Sequence, residues 1–355
     1  MKTPHPLGLH RVIEPAGALP QAAWKLDNTP KAFANEILCD VEMLNLDSAS
    51  FAQLRESCGD NPDAIAEQIT GTVRTRGKQH NPVTGSGGMF VGSVAEIGEG
   101  LRHKLALHAG ERIASLVSLT LTPLYLDAVE AVDLQTARVF VRGKAILFES
   151  AGWTKLPDDL DPGVALAVLD VAGAPAQIRR FVKPGMSVVV IGADGKSGML
   201  VCAQARESIG NNGTIIGVVP DATTGGAAVL RESGLVDDLI AIDARDAAGL
   251  AGAIAARLPA LGDLVVNCVN VSDTEAGSIL CAKQGGTVYF FSMNTSFTAA
   301  TLGAEGMGKD VTLIMGNGFA RDHAATALET LRTNPAIAAY FHRRYAAAQP
   351  ARTAS

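Results

Sequence analysis

Between Ser187 and Gly198 the chain reads SVVVIGADGKSG, and this stretch restricts the possible folds more than any other. A short unbroken apolar run, Val188–Ile191, reads as a parallel strand buried on both faces. It ends at Gly192, Gly195 and Gly198, immediately before an apolar-periodic helix that starts at Met199 and runs to about Ile209. Glycines at such a junction let the backbone turn tightly and approach a ligand without a Cβ. The free N–H groups and positive end of the helix favour an anion, so a diphosphate is expected against Gly192, Gly195, Lys196, Ser197 and Gly198. The spacing, G-x-x-G-x-x-G, is one residue off the commonest dinucleotide fingerprint. A phosphate-binding NTPase loop, suggested by Gly195-Lys196-Ser197, fails the count, because Val190 stands where that motif needs its first glycine. A strand-to-helix turn with no ligand is the remaining alternative.

The rest of the second half fits a nucleotide fold. A long apolar segment from Asp161 reads as helix broken near Gly173–Pro175, after which strands and helical stretches alternate. The strands are expected at Ser187–Ile191, Thr214–Val219, Asp238–Ile242, Leu264–Cys268, Gly286–Ser292 and Val311–Met315, followed by helices at Ala324–Arg332 and Pro335–Tyr345. Such alternation means βαβ units and an α/β fold with a doubly wound parallel (Rossmann) sheet. Ligands of these sheets bind at the carboxyl ends of the strands, which brings in Asn267, Asn270 and Ser292 as cofactor contacts. After the second strand, Asp221 lies near the position, about 20 residues past the glycines, where an acid accepts the ribose 2′-hydroxyl of NAD and repels the 2′-phosphate of NADP. Thr223 and Thr224 could instead bind a phosphate, so NAD is favoured and NADP stays open.

The first half is different. Residues 1–34 are rich in Pro and Gly and are expected to lie over the surface before the first regular element. Glu36–Leu46 alternates as a strand and is stopped by Asp47-Ser48-Ala49-Ser50. Residues 60–76 carry Ile65, Ile69 and Val73 at helical spacing, with Asn61 as N-cap and Pro62 in the first turn, and form either a lid or a packing helix. Gly85, Gly87, Gly88 and Gly92 mark bends, bulges or close approach within β structure. Further strands are expected at Arg112–Leu121 and Ala137–Phe148. The expected division is therefore a mostly-β domain over residues 1–155, a nucleotide domain over 156–335, and a C-terminal helix and tail over 336–355.

Bulk properties exclude several classes. A net charge of −6 gives no basic field for nucleic acid or an anionic membrane. No apolar run approaches the about 18 residues of a membrane span, and the start lacks a signal-peptide core, so a cytoplasmic protein is expected. The 5 cysteines and 7 histidines are scattered without ligand spacing.

Over essentially its whole length the chain resembles the medium-chain dehydrogenase/reductase superfamily, in ANEILCDVEMLNLDSASF, GMFVGSVAEIG and SVVVIGADGKSG. Within it the chain is similar to the L-erythro-3,5-diaminohexanoate dehydrogenases, in HRVIEPAG, NLDSASF, NPVTGSGGMF, ASLVSLTLTPL, KAILFES, LDVAGAPAQ and GADGKSGM. The resemblance implies a GroES-like first domain and NAD(P)-dependent oxidative deamination at carbon 3 of a diamino acid, giving 5-amino-3-oxohexanoate and ammonium, with catalysis between the two domains. It also implies a homo-oligomer, most simply a dimer through Val311–Met315.

Where zinc alcohol dehydrogenases of that superfamily carry metal ligands, a rough alignment puts Asp47-Ser48, Gly88-Met89 and Asp170, so no metal is expected. Alcohol oxidation builds negative charge that a cation stabilises, whereas hydride loss from an amine builds a positive iminium, which suits carboxylates. A base must also deprotonate the substrate ammonium and activate water. Asp47 and Asp170 are the candidates for these tasks. Lys144 and Glu149 are further candidates for the charged groups of the substrate, with a surface salt bridge as the alternative, and Ser48, Thr84 and Ser86 are candidate substrate hydrogen-bonding groups. A zinc-free enone or quinone reductase, and a dinucleotide-binding protein without catalysis, remain the competing readings.

Overall fold

In the computed structural model, which describes residues 4–81 and 85–346, the chain divides into one unit ending at Leu166 and a second spanning Ala167–Arg344. The division falls inside a helix, later than residue 155, and the last helix belongs with the second unit up to Arg344.

The first unit opens with a feature not anticipated for residues 1–34: β1 (Val12–Glu14) pairs antiparallel with β2 (Lys25–Leu26) over a small core of Val12, Ala23 and Leu26. This lobe is pinned by charge. Glu36, fully buried, accepts from Arg11 Nε at 2.9 Å and Nη2 at 2.7 Å, from His10 Nε2 at 2.8 Å and from the Phe33 amide at 2.8 Å. Four hydrogen bonds to one carboxylate make its burial tolerable.

The main sheet of this unit is antiparallel and has the order β6-β7-β3-β4-β5-β8. It is built from β3 (Glu36–Asn45), β4 (Met89–Ile97), β5 (Arg112–Ser115), β6 (Leu124–Asp133), β7 (Arg138–Phe148) and β8 (Trp153–Lys155). Two helices lie between β3 and β4. The first, α1 (Ser48–Cys58), starts where a strand stop was expected, because Asp47 is its N-cap. The second, α2 (Pro62–Arg76), is capped by Asn61, whose Oδ1 accepts from the amides of Asp63 at 3.0 Å and Ala64 at 3.2 Å. Its Ile65, Ile69 and Val73 are buried, and it packs on β6. The strand expected over Arg112–Leu121 ends at Ser115, after which Ser118 Oγ takes the Thr120 amide at 3.3 Å and its carbonyl the Thr122 hydroxyl at 3.0 Å. Local side-chain bonding of this kind replaces the ladder.

The second unit begins within α3 (Pro162–Leu169), continues through α4 (Gly173–Phe181), and is then a six-stranded parallel sheet. Its strands are β9 (Ser187–Ile191), β10 (Thr214–Val219), β11 (Asp238–Ala241), β12 (Gly262–Asn267), β13 (Ala282–Phe290) and β14 (Val311–Met315), in the order β11-β10-β9-β12-β13-β14. This is the doubly wound order with its reversal beside β9. The crossovers are α5 (Lys196–Ile209), α6 (Gly225–Ser233), α7 (Ala247–Arg257), α8 (Glu275–Leu280) and α9 (Phe297–Gly306), and α10 (His323–Arg332) and α11 (Pro335–Tyr345) follow β14. Helices α4, α5 and α10 pack together, as do α7, α8 and α9. Val188, Val189, Val190 and Ile191 are each 0% exposed, so β9 is buried on both faces, as its unbroken apolar run predicts.

Candidate functional site

The first cluster forms where β3 ends and β4 begins. Asp47 turns its carboxylate back over the start of α1, taking the Ser50 amide at 2.9 Å and the Ser50 hydroxyl at 2.6 Å. From the glycine-rich bend, Ser86 donates its hydroxyl to Asp47 Oδ2 at 2.5 Å, and the Ser50 and Ser86 hydroxyls lie 3.1 Å apart. Two stretches about 40 residues apart in sequence are thereby joined by one carboxylate. The bend can come this close because Gly88 has φ +88° and a Cβ on it would lie 1.9 Å from the Asn45 carbonyl. Gly92 has the same role further along the strand, with a Cβ that would lie 2.0 Å from the Asp40 carbonyl, beside a register shift between Val41 and Met43.

Of the residues expected here, Asp47 and Ser86 meet, Ser48 is exposed in the first turn of α1, and Thr84 lies outside the described residues. Ser50, not among the expected residues, is the third member; the D-x-x-S pattern of an N-cap was its signal. Also unforeseen is the run Lys78–Asn81 that leads into the bend. Lys78 is buried and donates to the carbonyls of Pro20 at 2.7 Å and Gln21 at 3.0 Å, and burial, then the Arg76 charge, lowers its pKa to about 8. His80 is lowered to about 4 by burial and by the charges of Arg76 and Lys78, so it is neutral at pH 7, and its Nδ1 has no partner among the described residues. Gln79 Oε1 is likewise buried without a partner among the described residues.

Lys144 and Glu149 do not join this cluster. Lys144 on β7 faces Asp40 on β3 in strand register and pairs with it, and Glu149 pairs with Lys104 at 2.8 Å. Both pairs are solvent-accessible, so the salt-bridge alternative describes them and they leave the candidate substrate set.

The second cluster is the turn between β9 and α5. Gly192 has φ +78°, and its amide and that of Ala193 both reach the Val218 carbonyl, at 2.9 and 3.0 Å. A Cβ on Gly198 would lie 2.1 Å from the Gly192 carbonyl, so the helix closes directly onto the turn. Gly195, exposed, is the N-cap of α5 and supplies no side-chain cap, which leaves N–H groups of the first turn open. This geometry fits an anion, and a diphosphate in particular. Burial pushes the Cys268 thiol up to about 12, and the neighbouring Ser197 works against that rise. Lys196 forms an ion pair with Asp170, whose side chains are 19% and 14% exposed.

At the end of β10, Asp221 is exposed and takes the Thr223 amide and hydroxyl, each at 2.8 Å; these bonds lower its pKa, so it is ionised at neutral pH. Thr224 caps α6 and donates to Asp194 Oδ2 at 2.9 Å. The expectation for Asn267 needs correction. It is buried, its Nδ2 serves the hydroxyls of Thr274 at 2.8 Å and Ser278 at 2.9 Å, and its Oδ1 takes the Val269 amide at 2.9 Å, so its side chain is spent on holding the strand end. Asn270 and Ser292 lie beyond the ends of β12 and β13, linked through Asn294, whose Nδ2 reaches the Asn270 carbonyl at 2.7 Å and whose amide reaches Ser292 Oγ at 3.2 Å. Among the described residues no cluster of three or more His, Cys, Asp or Glu side chains could hold a metal ion, and no helix is long and apolar enough to cross a membrane.

Residues 10–157 match the family model of the L-erythro-3,5-diaminohexanoate dehydrogenase N-terminal domain. The chain is 50% identical over 339 residues to the L-erythro-3,5-diaminohexanoate dehydrogenase of Acetoanaerobium sticklandii, covering 95% of this chain and 98% of that one. It is 47% identical over 338 residues to the enzyme of the same name from Fusobacterium nucleatum, with the same coverage of 95% and 98%. Among solved structures, a mycobacterial quinone oxidoreductase superposes with a TM-score of 0.53 at 18% identity, covering 89% of this chain and 83% of that one. A mycobacterial protein solved in complex with NADPH does so with a TM-score of 0.53 at 17% identity, covering 88% and 80%. These two likenesses are of fold alone. The identity to named dehydrogenases, nearly end to end, makes the chain an oxidoreductase, and it belongs to the L-erythro-3,5-diaminohexanoate dehydrogenase family.

Proposed function

We propose that this dehydrogenase oxidatively deaminates L-erythro-3,5-diaminohexanoate to 5-amino-3-oxohexanoate and ammonium, as a step of lysine breakdown, with a nicotinamide dinucleotide as hydride acceptor. The observation that carries the reading is the Asp47 carboxylate, held by Ser50 and Ser86 at the bend between β3 and β4. An anion fixed there by three hydrogen bonds suits an ammonium substrate and a carbon that becomes cationic, and would oppose an alkoxide. Asp47, and Asp170 in the second unit, are the candidate acceptors of the substrate proton; the hydroxyls of Ser50 and Ser86 orient the first of these. At neutral pH the substrate amine is an ammonium without a free lone pair, so its deprotonation must precede hydride loss, and water must then be activated to attack the iminium.

The β9–α5 turn fits the diphosphate of NAD⁺ or NADP⁺, which supplies a hydride-accepting ring when bound. We favour NAD⁺, because the ionised, exposed Asp221 would repel a 2′-phosphate. A dimer formed through the outer edge of β14, and residence in a reducing compartment, the cytoplasm, complete the proposal; the latter agrees with Cys39, Cys58, Cys202, Cys268 and Cys281 all being free.

The test is to follow reduced nicotinamide absorbance with NAD⁺ or NADP⁺ and a panel of β-amino acids, secondary alcohols and, in reverse, activated alkenes. Turnover of the 3,5-diamino acid supports the reading. Turnover of alcohols or alkenes alone would replace it with the reductase alternative, and cofactor binding without any turnover with the non-catalytic one. Replacing Asp221 by Ser is expected to raise NADP⁺ use relative to NAD⁺; an unchanged ratio removes Asp221 as a determinant of cofactor choice.

A further inference from the structure

The glycine turn contains one cation, and it is already taken. Lys196 is the first residue of α5, next to the uncapped N-terminus that suits a diphosphate, yet its ammonium is bound to the Asp170 carboxylate. Side chains on a helix lean towards its N-terminus, so a lysine in the first turn reaches the space in front of the open N–H groups. Both partners are largely shielded from water, at 19% and 14% exposure, which makes each a poor candidate for standing alone. The turn's other charged side chain is committed elsewhere, Asp194 accepting from the Thr224 hydroxyl at 2.9 Å. An arriving diphosphate therefore finds its backbone donors open and its cation bound to a competing anion.

Building on the reading of a nicotinamide dinucleotide at this turn, we infer that Lys196 is shared between Asp170 and the diphosphate. Cofactor binding transfers the ammonium from carboxylate to phosphate and leaves Asp170 free to accept a proton from the substrate. No covalent bond changes in this step; one ion pair replaces another. Lys196 is thus a positioning residue for Asp170, and cofactor is expected to bind before substrate. Were the lysine instead to stay on Asp170, the carboxylate would help to hold the turn in shape, and removing it would not strengthen cofactor binding.

The two arrangements make opposite predictions for ligand binding, read by calorimetric titration of the full-length protein with ADP-ribose and with adenosine. Asp170→Asn removes the competing charge and is expected to tighten ADP-ribose about tenfold, about 1.4 kcal/mol. Lys196→Met is expected to weaken it about tenfold. Adenosine, which lacks the diphosphate, should bind all three proteins alike. Unchanged or weaker ADP-ribose binding by Asp170→Asn overturns the inference, as does an adenosine affinity that moves in step, or a Lys196→Met protein with wild-type affinity. If Asp170→Asn does not fold, Asp170→Ser is titrated in its place with the same expectation. A wild-type protein that binds neither ADP-ribose nor NAD⁺ nor NADP⁺ overturns the cofactor reading and the inference together, whereas wild-type binding without the Asp170→Asn gain overturns the inference alone.

Discussion

Asp47 does two jobs that a single substitution can separate. As N-cap it takes the Ser50 amide, and as a candidate base it offers a carboxylate held by the Ser50 and Ser86 hydroxyls at 2.6 and 2.5 Å. Asp47→Asn keeps a side-chain oxygen for the amide, and Asn caps helices about as well as Asp. What it loses is charge in the two hydroxyl contacts, a charge-assisted bond being worth about 1.5–3 kcal/mol against about 0.5–1.5 kcal/mol for a neutral one. Because Ser86 Oγ can turn round to accept from the new amide, the net loss of stability should be about 1 kcal/mol. Asp47→Ala removes the cap as well, another ~1 kcal/mol, for a total of about 2–3 kcal/mol. Removing a general base lowers turnover by about 10²–10⁴-fold, so Asp47→Asn should be nearly as stable as the wild type and almost inactive in deamination. Urea denaturation followed by far-UV circular dichroism gives the first quantity and reduced-nicotinamide absorbance at saturating substrate the second. An Asp47→Asn protein with kcat close to that of the wild type, beside a destabilised Asp47→Ala protein, would show that Asp47 is a helix cap only.

Other consequences can be checked with simpler measurements. Glu36→Ala takes the buried carboxylate away from Arg11 and His10 and, although Arg11 keeps Asp27 at 3.8 Å and nearby carbonyls, should cost about 3 kcal/mol in urea denaturation, a large share of a typical domain's total. A marginal effect would mean that the lobe holding β1 and β2 is not tied down by this carboxylate. His80 is held at about 4 in the folded state against an ordinary value of 6.5. The unfolded chain therefore takes up the proton first, and stability should be intact above about pH 6.5 and fall as the pH drops towards 4, by roughly 1–2 kcal/mol after allowance for solvent screening. His80→Asn should flatten that region of the stability-against-pH curve, and an unaltered slope would refute the assignment. Among the thiols, Cys39, Cys202 and Cys281 are buried, and burial pushes Cys39, Cys281 and Cys268 up to about 12. Ellman's reagent at about pH 8 should thus find Cys58 first, and Cys58→Ser should abolish the fast phase.

The second unit could be read from the sequence almost strand by strand, because parallel strands buried on both faces are continuous apolar runs and need no partner to be recognised. Ser187–Ile191, Thr214–Val219 and Val311–Met315 coincide with β9, β10 and β14. The first unit hid more. β6 carries no clear strand signal because LYLDAVEAVD has a water-facing side and carries acids, and α1 is masked because its capping Asp and Ser look the same as a turn. The lobe of β1 and β2 rests on Arg11 and His10 meeting Glu36, about 25 residues away, a long-range pairing that no local pattern encodes. The site divides in the same way. The glycine turn and Asp47 announce themselves locally, whereas the partners of Lys144, Glu149, Asn267 and Asp170 are set by strand register and helix placement.

The left-handed backbone at Gly88 also limits what protein engineers could make of this chain. The rough alignment puts Gly88-Met89 where zinc alcohol dehydrogenases carry their histidine ligand, so grafting that imidazole looks like a one-codon route to a Lewis-acid enzyme. Here the first carbon of any such side chain would lie 1.9 Å from a carbonyl oxygen of the neighbouring strand, and the two strands would have to move apart before a metal could be considered. Conversion between the two chemistries on this scaffold would have to begin with the main chain, and only then with ligands.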